Sequence, residues 1–299
     1  MHTCCSFTTL TDMEISTVDQ KSSAFPERLL TISSPPKKLY VLGAALHELL
    51  IRPCVAIVGS RRITPYGRQV TYNLARELAE QGVVIISGLA IGVDSEAHRA
   101  ALAVGGLTIA VLPRSLSNIY PATNSQLAQR IVESGGALVS EYEYDDFAYK
   151  SNFVARNRIV TGLANVLVIT EATEKSGSLH TATFAMDNGQ TVMAIPGSIT
   201  SPNSAGTNNL LKTGAIAVTS VIDVLHALQV VPHGTKILQV RGRNRNEQTV
   251  LDLLLTGIRD GNELLAASQL STSHFNQVLT MLEISNKIRA LGANQWAIT

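Results

Sequence analysis

The sequence is poor in cysteine, and this shortage excludes several classes of protein. Only three of its 299 residues are cysteine, and two of them, Cys4 and Cys5, are adjacent. Such sparse usage argues against a disulfide-stapled secreted protein and indicates a reducing compartment. No Cys/His spacing typical of zinc sites is present, so we expect neither a metal nor a cofactor.

Long apolar runs are also missing. The longest uncharged apolar stretches, such as residues 81–93, span about 13 residues, whereas a membrane helix needs about 20. The amino terminus lacks a basic segment followed by an apolar one, so no secretory signal is predicted. We therefore expect a soluble, cytoplasmic protein without a membrane span.

Charge is scarce as well, at 16% of residues with a formal net charge of +1. A nucleic-acid partner would therefore have to be held by a local basic patch, because the field of the whole protein is nearly neutral.

The middle of the chain contains short, continuously apolar runs separated by stretches of helical periodicity. Runs of this kind are typical of strands buried on both faces, and their alternation with helices predicts a doubly wound, mainly parallel, Rossmann-like α/β sheet. The predicted strands are residues 54–58, 83–86, 107–112, 137–140, 165–169, 191–195 and 215–218.

Composition divides the chain into four predicted parts. Residues 1–34 are polar and are expected to form a mobile tail, and residues 35–230 form the Rossmann-like domain. Residues 231–246 are a basic linker. Residues 247–299 show three helices and a hairpin, the pattern of a small winged-helix domain. The third of these helices has no lysine or arginine, which favours protein contact over duplex reading.

Four loops after predicted strands are candidates for ligand binding, since ligands of open α/β sheets bind beyond the carboxyl ends of the strands. Gly59-Ser60-Arg61-Arg62 offers close backbone approach and guanidinium groups for phosphate. Ser176, Gly177 and Ser178 open a helix, where free N–H groups and hydroxyls suit an anion. For Asp94 and His98 we favour a helix N-cap and a satisfied core histidine over a metal or catalytic pair. The fourth loop, residues 196–209, is long and polar but carries a weak signal by itself.

A basic-aromatic cluster is the most informative motif. Lys150, Phe153, Arg156 and Arg158 are interleaved with asparagines within nine residues. Cations neutralise phosphates and an aromatic face stacks any base, so the mixture favours single-stranded nucleic acid. The alternative is that Phe153 belongs to the core and that the arginines pair with the acidic residues in 141–146.

The ordered motifs resemble those of the DprA/Smf family, also called DNA-processing protein A, over roughly residues 35–225. They are Gly59-Ser-Arg61, Ser87-Gly88-Leu-Ala-Ile-Gly92-Val-Asp94, Tyr120-Pro121-Ala-Thr-Asn124, Phe153-Val-Ala-Arg156-Asn-Arg158, Glu171-Ala172, Ser176-Gly-Ser-Leu179-His-Thr181, Pro196-Gly197 and Gly206-Thr-Asn208.

This resemblance implies a non-enzymatic homodimer that binds and protects incoming single-stranded DNA and loads the RecA recombinase in natural transformation. It also assigns residues of the DNA site. In this chain they match Arg61, Lys150, Phe153, Arg156 and Arg158, with Ser176 and Ser178 as the anion-site serines. We add Gly177 and Asn208 to the predicted site.

Two other functions remain open. A related Rossmann enzyme would hydrolyse nucleoside monophosphates, but its Gly-Gly-x-Gly-Thr-x-x-Glu loop is replaced here by Pro196-Gly-Ser-Ile-Thr. An interaction scaffold would instead keep its basic cluster neutralised by residues 141–146.

Overall fold

The chain divides into two units that are described separately. In a computed structural model, residues 14–143, 149–231, 242–256, 258–285, 287–292 and 294–298 are described. The units are Met1–Pro232 and His233–Thr299. Their boundary falls inside the predicted linker 231–246, of which residues 232–241 lie outside the described residues.

A nine-stranded sheet forms the centre of the first unit, with the order β1-β2-β6-β5-β4-β3-β7-β8-β9. All neighbours from β6 to β9 are parallel, whereas β1 and β2 pair antiparallel with their neighbours. The predicted mainly parallel α/β sheet is therefore confirmed. The strands are β1 (Ser16–Asp19), β2 (Lys38–Gly43), β3 (Cys54–Val58), β4 (Val84–Ser87), β5 (Thr108–Val111), β6 (Ala137–Ser140), β7 (Val166–Ile169), β8 (Thr191–Ala194) and β9 (Ile216–Ala217).

Helices cover both faces of the sheet, which explains why the central strands are apolar throughout. Alternate residues of β3 point to opposite faces: Ala56 belongs to one apolar core and Ile57 to another. The helices are α1 (Glu27–Leu30), α2 (Leu46–Leu50), α3 (Pro65–Glu80), α4 (Val93–Ala103), α5 (Ser125–Glu133), α6 (Lys150–Leu163), α7 (Gly177–Asp187), α8 (Ala205–Lys212) and α9 (Val221–Ala227).

The prediction that residues 1–34 form a mobile tail is wrong for residues 14–34; residues 1–13 lie outside the described residues. Strand β1 pairs with β2, and α1 packs against α6. Leu29 is completely buried, and a Cβ at Gly162 would lie 2.6 Å from its side chain. Burial of a few widely spaced apolar residues therefore fixes a segment that is polar on average.

The strand order changes direction at β3, and this positions the site. From β3 the chain runs outward through β4 and β5 to β6, and it then returns to β7 on the other side of β3. Loops that leave β3 and β7 diverge to opposite faces, which opens a crevice beyond their carboxyl ends.

The second unit contains three helices followed by a two-stranded antiparallel hairpin, in the order predicted. Its core includes Leu251, Phe275 and Leu282. Its assignment as a winged helix stays a prediction. Its elements are α10 (Arg245–Leu255), α11 (Gly261–Ser268), α12 (Thr272–Ile284), β10 (Ile288–Gly292) and β11 (Gln295–Ile298). Across the described parts of both units, no helix combines the length and apolarity that a membrane crossing requires.

Candidate nucleic-acid interface

The crevice at the strand-order switch holds a cavity of about 1140 Å³. Loops after β3, β4 and β7 contribute to it, together with the first half of α6 and the start of α7. The predicted residues that line it are Arg61, Phe153, Arg156, Ser176, Gly177 and Ser178.

The loop that carries Arg61 is tied to the end of β7. The Ser60 N–H donates to the Glu171 carbonyl oxygen at 2.8 Å, and the Thr64 N–H donates to Glu171 Oε2 at 2.9 Å. Thr64 in turn caps α3 by accepting from the Gly67 N–H. Glu171 is buried, and its position fixes where the Arg61 backbone enters the cavity.

Phe153 presents an aromatic surface inside the cavity. The Arg61 guanidinium carbon lies 5.3 Å from the Phe153 ring centroid, within cation–π range. The Tyr120 ring meets Phe153 edge-on, with centroids 5.3 Å apart and planes at 75°. Tyr120 is 43% exposed. The three side chains form a mixed cationic and aromatic surface of the kind that binds unstacked bases.

Arg156 is nearly inaccessible, with 4% exposure, which differs from the expectation that it binds phosphate directly. Its guanidinium donates to the carbonyl oxygens of Gly88 and Val111. A Cβ at Gly88 would lie 2.2 Å from Arg156 Nη1, so glycine at this position leaves room for the guanidinium. Burial lowers the pKa of Arg156 to about 10, while Asp94 opposes the shift. The residue thus stays charged at neutral pH and clamps the β4–α4 loop.

Asp94 is not the predicted N-cap, because Gly92 occupies the cap position of α4. Its carboxylate instead accepts hydrogen bonds from the N–H groups of Gly88, at 3.1 Å, and Ala90, at 3.4 Å. Burial raises the pKa of the Asp94 carboxyl, and Arg156 is the largest opposing influence. Asp94 therefore holds the same loop as Arg156, since it accepts from the N–H of Gly88 while Arg156 donates to the carbonyl oxygen of that residue.

His98 is fully buried, as expected for a core histidine. Its Nδ1 lies 2.6 Å from Thr108 Oγ1, whose hydroxyl donates to the Ile85 carbonyl oxygen. Thr108 Oγ1 must then accept from Nδ1–H, which leaves Nε2 unprotonated and, in the described parts of the chain, without a partner. Burial lowers the pKa of His98 to about 3.

Arg158 was expected to be a free phosphate ligand, but its guanidinium is already bound within the protein. It makes two hydrogen bonds to the Glu141 carboxylate, at 2.7 and 2.8 Å, and one to the Ser34 carbonyl oxygen. The interpretation that residues 141–146 neutralise the cluster thus holds for Arg158 with Glu141. Arg156 has no salt bridge to the described acidic residues 141 and 143.

Ser176 and Ser178 lie at the N-terminus of α7 on the cavity wall. Ser176 Oγ accepts from the Ser178 N–H at 3.4 Å and lies 2.7 Å from Ser178 Oγ. The cap and the anion site are therefore compatible. Asn208 is not a lining residue: it bonds both the N–H and the carbonyl of Gly197, which is a structural role. Lys150 begins α6, and its side chain lies outside the described residues.

Sequence reasoning alone did not assign roles to Tyr120 or Glu171, and it assigned Asp94 the role of a helix N-cap. Tyr120 lies in a turn before a helix and Glu171 lies directly after β7, whereas Asp94 lies in the first turn of α4. A carboxylate on a predicted cap position also fits a loop clamp, so the sequence pattern does not separate the two.

Comparison with known proteins identifies the family. Residues 16–229 match the family model described as DNA recombination-mediator protein A. The chain belongs to this family. Protein Smf of Escherichia coli (strain K12) is 42% identical over 214 residues, covering 71% of this chain and 56% of that protein. DNA processing protein DprA of Bacillus subtilis (strain 168) is 37% identical over 214 residues, covering 72% of this chain and 71% of that protein.

Two solved structures of family members share the fold. DNA processing protein A from Streptococcus pneumoniae superposes with a TM-score of 0.67 at 39% identity, covering 71% of this chain and 74% of that chain. The Helicobacter pylori protein, studied for its single-stranded DNA binding mode, gives 0.65 at 39% identity, covering 73% and 97%. The family match ends before the second unit begins.

Proposed function

We propose that this family member binds single-stranded DNA in the crevice and acts as a recombination mediator rather than as an enzyme. One observation carries the proposal: a guanidinium, an aromatic ring and a hydroxyl-lined helix N-terminus share one cavity. Arg61 and the α7 N-terminus would hold phosphates, and Phe153 would stack a base. Lys150 joins the proposal through its place one turn before Phe153 on α6.

A single strand suits this cavity better than a duplex does. Phe153 and its neighbour Tyr120 lie within a crevice, and a base reaches them only if it is free to leave its stack. The experiment is titration of the full chain with a labelled oligothymidine and with a duplex of equal length at low salt. We expect tighter binding to the single strand; absence of binding to it at low salt would refute the proposal.

Replacing Arg61 with alanine is expected to weaken oligothymidine binding about ten-fold and to reduce the slope of log K against log salt by about 0.7, because one phosphate contact is lost. Fluorescence anisotropy over a salt series measures both quantities. Arg76→Ala is the matched control, since Arg76 pairs with Glu77 and Glu80 on the surface of α3 outside the cavity. An unchanged salt slope in Arg61→Ala would mean that Arg61 does not hold a phosphate.

Replacing Phe153 with leucine is expected to weaken binding by about 1–2 kcal/mol while leaving the salt slope unchanged, because stacking is lost but no charge. The same anisotropy titration separates this effect from that of Arg61. Phe184→Leu, on α7 away from the cavity lining, controls for the loss of an aromatic ring. Equal binding by wild type and Phe153→Leu would remove Phe153 from the site.

Family membership extends the proposal to two protein partners. We infer a homodimer that protects incoming DNA and loads RecA recombinase on it in the cytoplasm. Sedimentation of the full chain tests the dimer, and recombinase filament formation on DNA coated with single-strand-binding protein tests loading. A monomer, or unchanged filament formation, would contradict the respective part.

A further inference from the structure

One side of helix α3 lines a groove on the surface of the first unit, which we call the α3 groove. Its volume is about 460 Å³. The helix contributes Pro65, Arg68, Gln69, Tyr72 and Asn73, whose spacing places them along one side of α3. A helix side with this spacing commonly packs into the core, but four of these five residues are exposed. A mixed polar and apolar stripe is therefore open to a partner.

The α3 groove adjoins the cavity at the strand-order switch. Ile63 lines both of them. Arg62, the residue before it, lines the cavity and is exposed. Arg62 makes no ion pair with the part of the chain that the structure describes. A strand that leaves the cavity past Arg61 would therefore meet a second guanidinium at Arg62 and then reach the groove over Ile63.

The charges at the α3 groove favour an anion. Glu96 Oε2 lies 2.8 Å from Arg68 Nη1 and 3.6 Å from Arg99 Nη1. The two arginine side chains are 56% and 44% exposed, whereas that of Glu96 is only 10% exposed. One inward carboxylate thus faces two outward cations, which leaves a net positive charge directed to solvent. An ion pair with an exposed partner is held weakly, so Arg68 can exchange Glu96 for a phosphate.

We propose that a DNA strand bound in the cavity continues over Ile63 into the α3 groove, where Arg68 binds one of its phosphates. This inference rests on the proposed binding of single-stranded DNA. Tyr72 offers apolar surface to a sugar, and Gln69 and Asn73 offer amide donors to phosphate oxygens. The groove lengthens the stretch of strand that the protein holds. It adds affinity without reading sequence, because it binds the backbone.

Oligothymidines of two lengths separate the groove from the cavity. A short one of about 6 nucleotides is held by the cavity alone, whereas one of about 16 nucleotides also reaches the groove. Anisotropy titration of the full chain with each oligomer measures affinity and its dependence on salt. We expect Arg68→Gln to weaken binding of the long oligomer about five-fold and to lower its slope of log K against log salt by about 0.7. Binding of the short oligomer should not change.

The ion pair gives a second expected result of opposite sign. Glu96→Gln removes the carboxylate that competes for Arg68, so we expect the long oligomer to bind about three-fold more tightly and the short one equally well. A purely structural ion pair would give no such gain. Arg68→Lys keeps the charge and should restore most of the affinity that Arg68→Gln loses. Arg76→Gln is the matched control, since Arg76 lies on α3 outside the groove and pairs with Glu77 and Glu80.

Equal losses for both lengths in Arg68→Gln, or no loss for either, would overturn the inference. A folded Glu96→Gln variant that binds the long oligomer no more tightly than wild type would also overturn it. If Glu96→Gln does not fold, the comparison of Arg68→Gln with Arg68→Lys decides. Normal DNA binding by Arg68→Gln with impaired recombinase loading would assign the groove to a protein partner instead. Failure of wild type to bind either oligomer would refute the proposed function, whereas binding that does not tighten with length would refute only the groove.

Discussion

Replacing Arg156 with leucine is expected to reduce single-stranded DNA binding at least a hundred-fold and to lower the free energy of unfolding by about 3 kcal/mol. Leucine leaves the carbonyl oxygens of Gly88 and Val111 buried without their donor, and each such loss costs about 1–3 kcal/mol. It also leaves the buried Asp94 carboxyl without the cation that most favours its charged form, so the β4–α4 loop loses both of the side chains that hold it in place. Chemical denaturation and anisotropy titration measure the two effects.

The matched control lies two residues away. Arg158→Gln removes an arginine that pairs with Glu141 and does not line the cavity, so we expect binding within about two-fold of wild type. Arg156→Lys keeps the charge but buries a compact, more strongly hydrated ammonium in place of the planar guanidinium, and we expect an intermediate loss of stability. A stable Arg156→Leu variant that binds DNA normally would show that the β4–α4 loop needs no clamp.

The central sheet was predictable because its strands are buried on both faces. A run such as Cys54–Val58 contains only apolar residues because each face of β3 packs against helices. Because this apolar pattern is local in the sequence, it predicts all the parallel strands within about two residues of their observed bounds.

The amino-terminal segment was not predictable because its constraint is not local. Strand β1 is an edge strand whose residues are mostly exposed, so it carries no apolar alternation. Leu29 is buried only because α6 offers it a space at Gly162, more than 130 positions along the chain. The spacing of apolar residues within residues 14–34 therefore gives no indication that the segment packs against α6.

The basic cluster on α6 shows the same difference between local features, which the sequence predicts, and contacts with distant residues, which it does not. Helical spacing predicts that Arg156 and Arg158 point in different directions, and they do. Which of them meets an acid, and which meets carbonyl oxygens, depends on Glu141 at the end of β6 and on Gly88 at the end of β4. These neighbours are fixed by the order of the strands in the sheet. The sequence therefore identified the cluster as a candidate site, but it did not indicate which groups each arginine binds.

Acidification is expected to destabilise the first unit through His98. The pKa of His98 is lowered from 6.5 to about 3 by burial, so the unfolded chain takes up a proton between these values while the folded chain does not. Stability from this residue is therefore complete above the unfolded pKa and is lost as pH falls. Each pH unit costs about 1.4 kcal/mol, and the loss between pH 7 and pH 5 is about 2 kcal/mol. Denaturation curves at a series of pH values measure it.

The difference between wild type and His98→Asn isolates this contribution, because Asp94 shifts stability in the opposite direction: its raised pKa makes the folded state take up a proton more readily than the unfolded state. Asparagine can still bond Thr108 but does not titrate. We expect His98→Asn to be less stable at pH 7 and to lose about 2 kcal/mol less than wild type on going to pH 5. The exposed His180→Asn should follow the wild-type curve. Parallel curves for wild type and His98→Asn would mean that His98 accepts a proton while folded, which its fully buried place on α4 against Thr108 argues against.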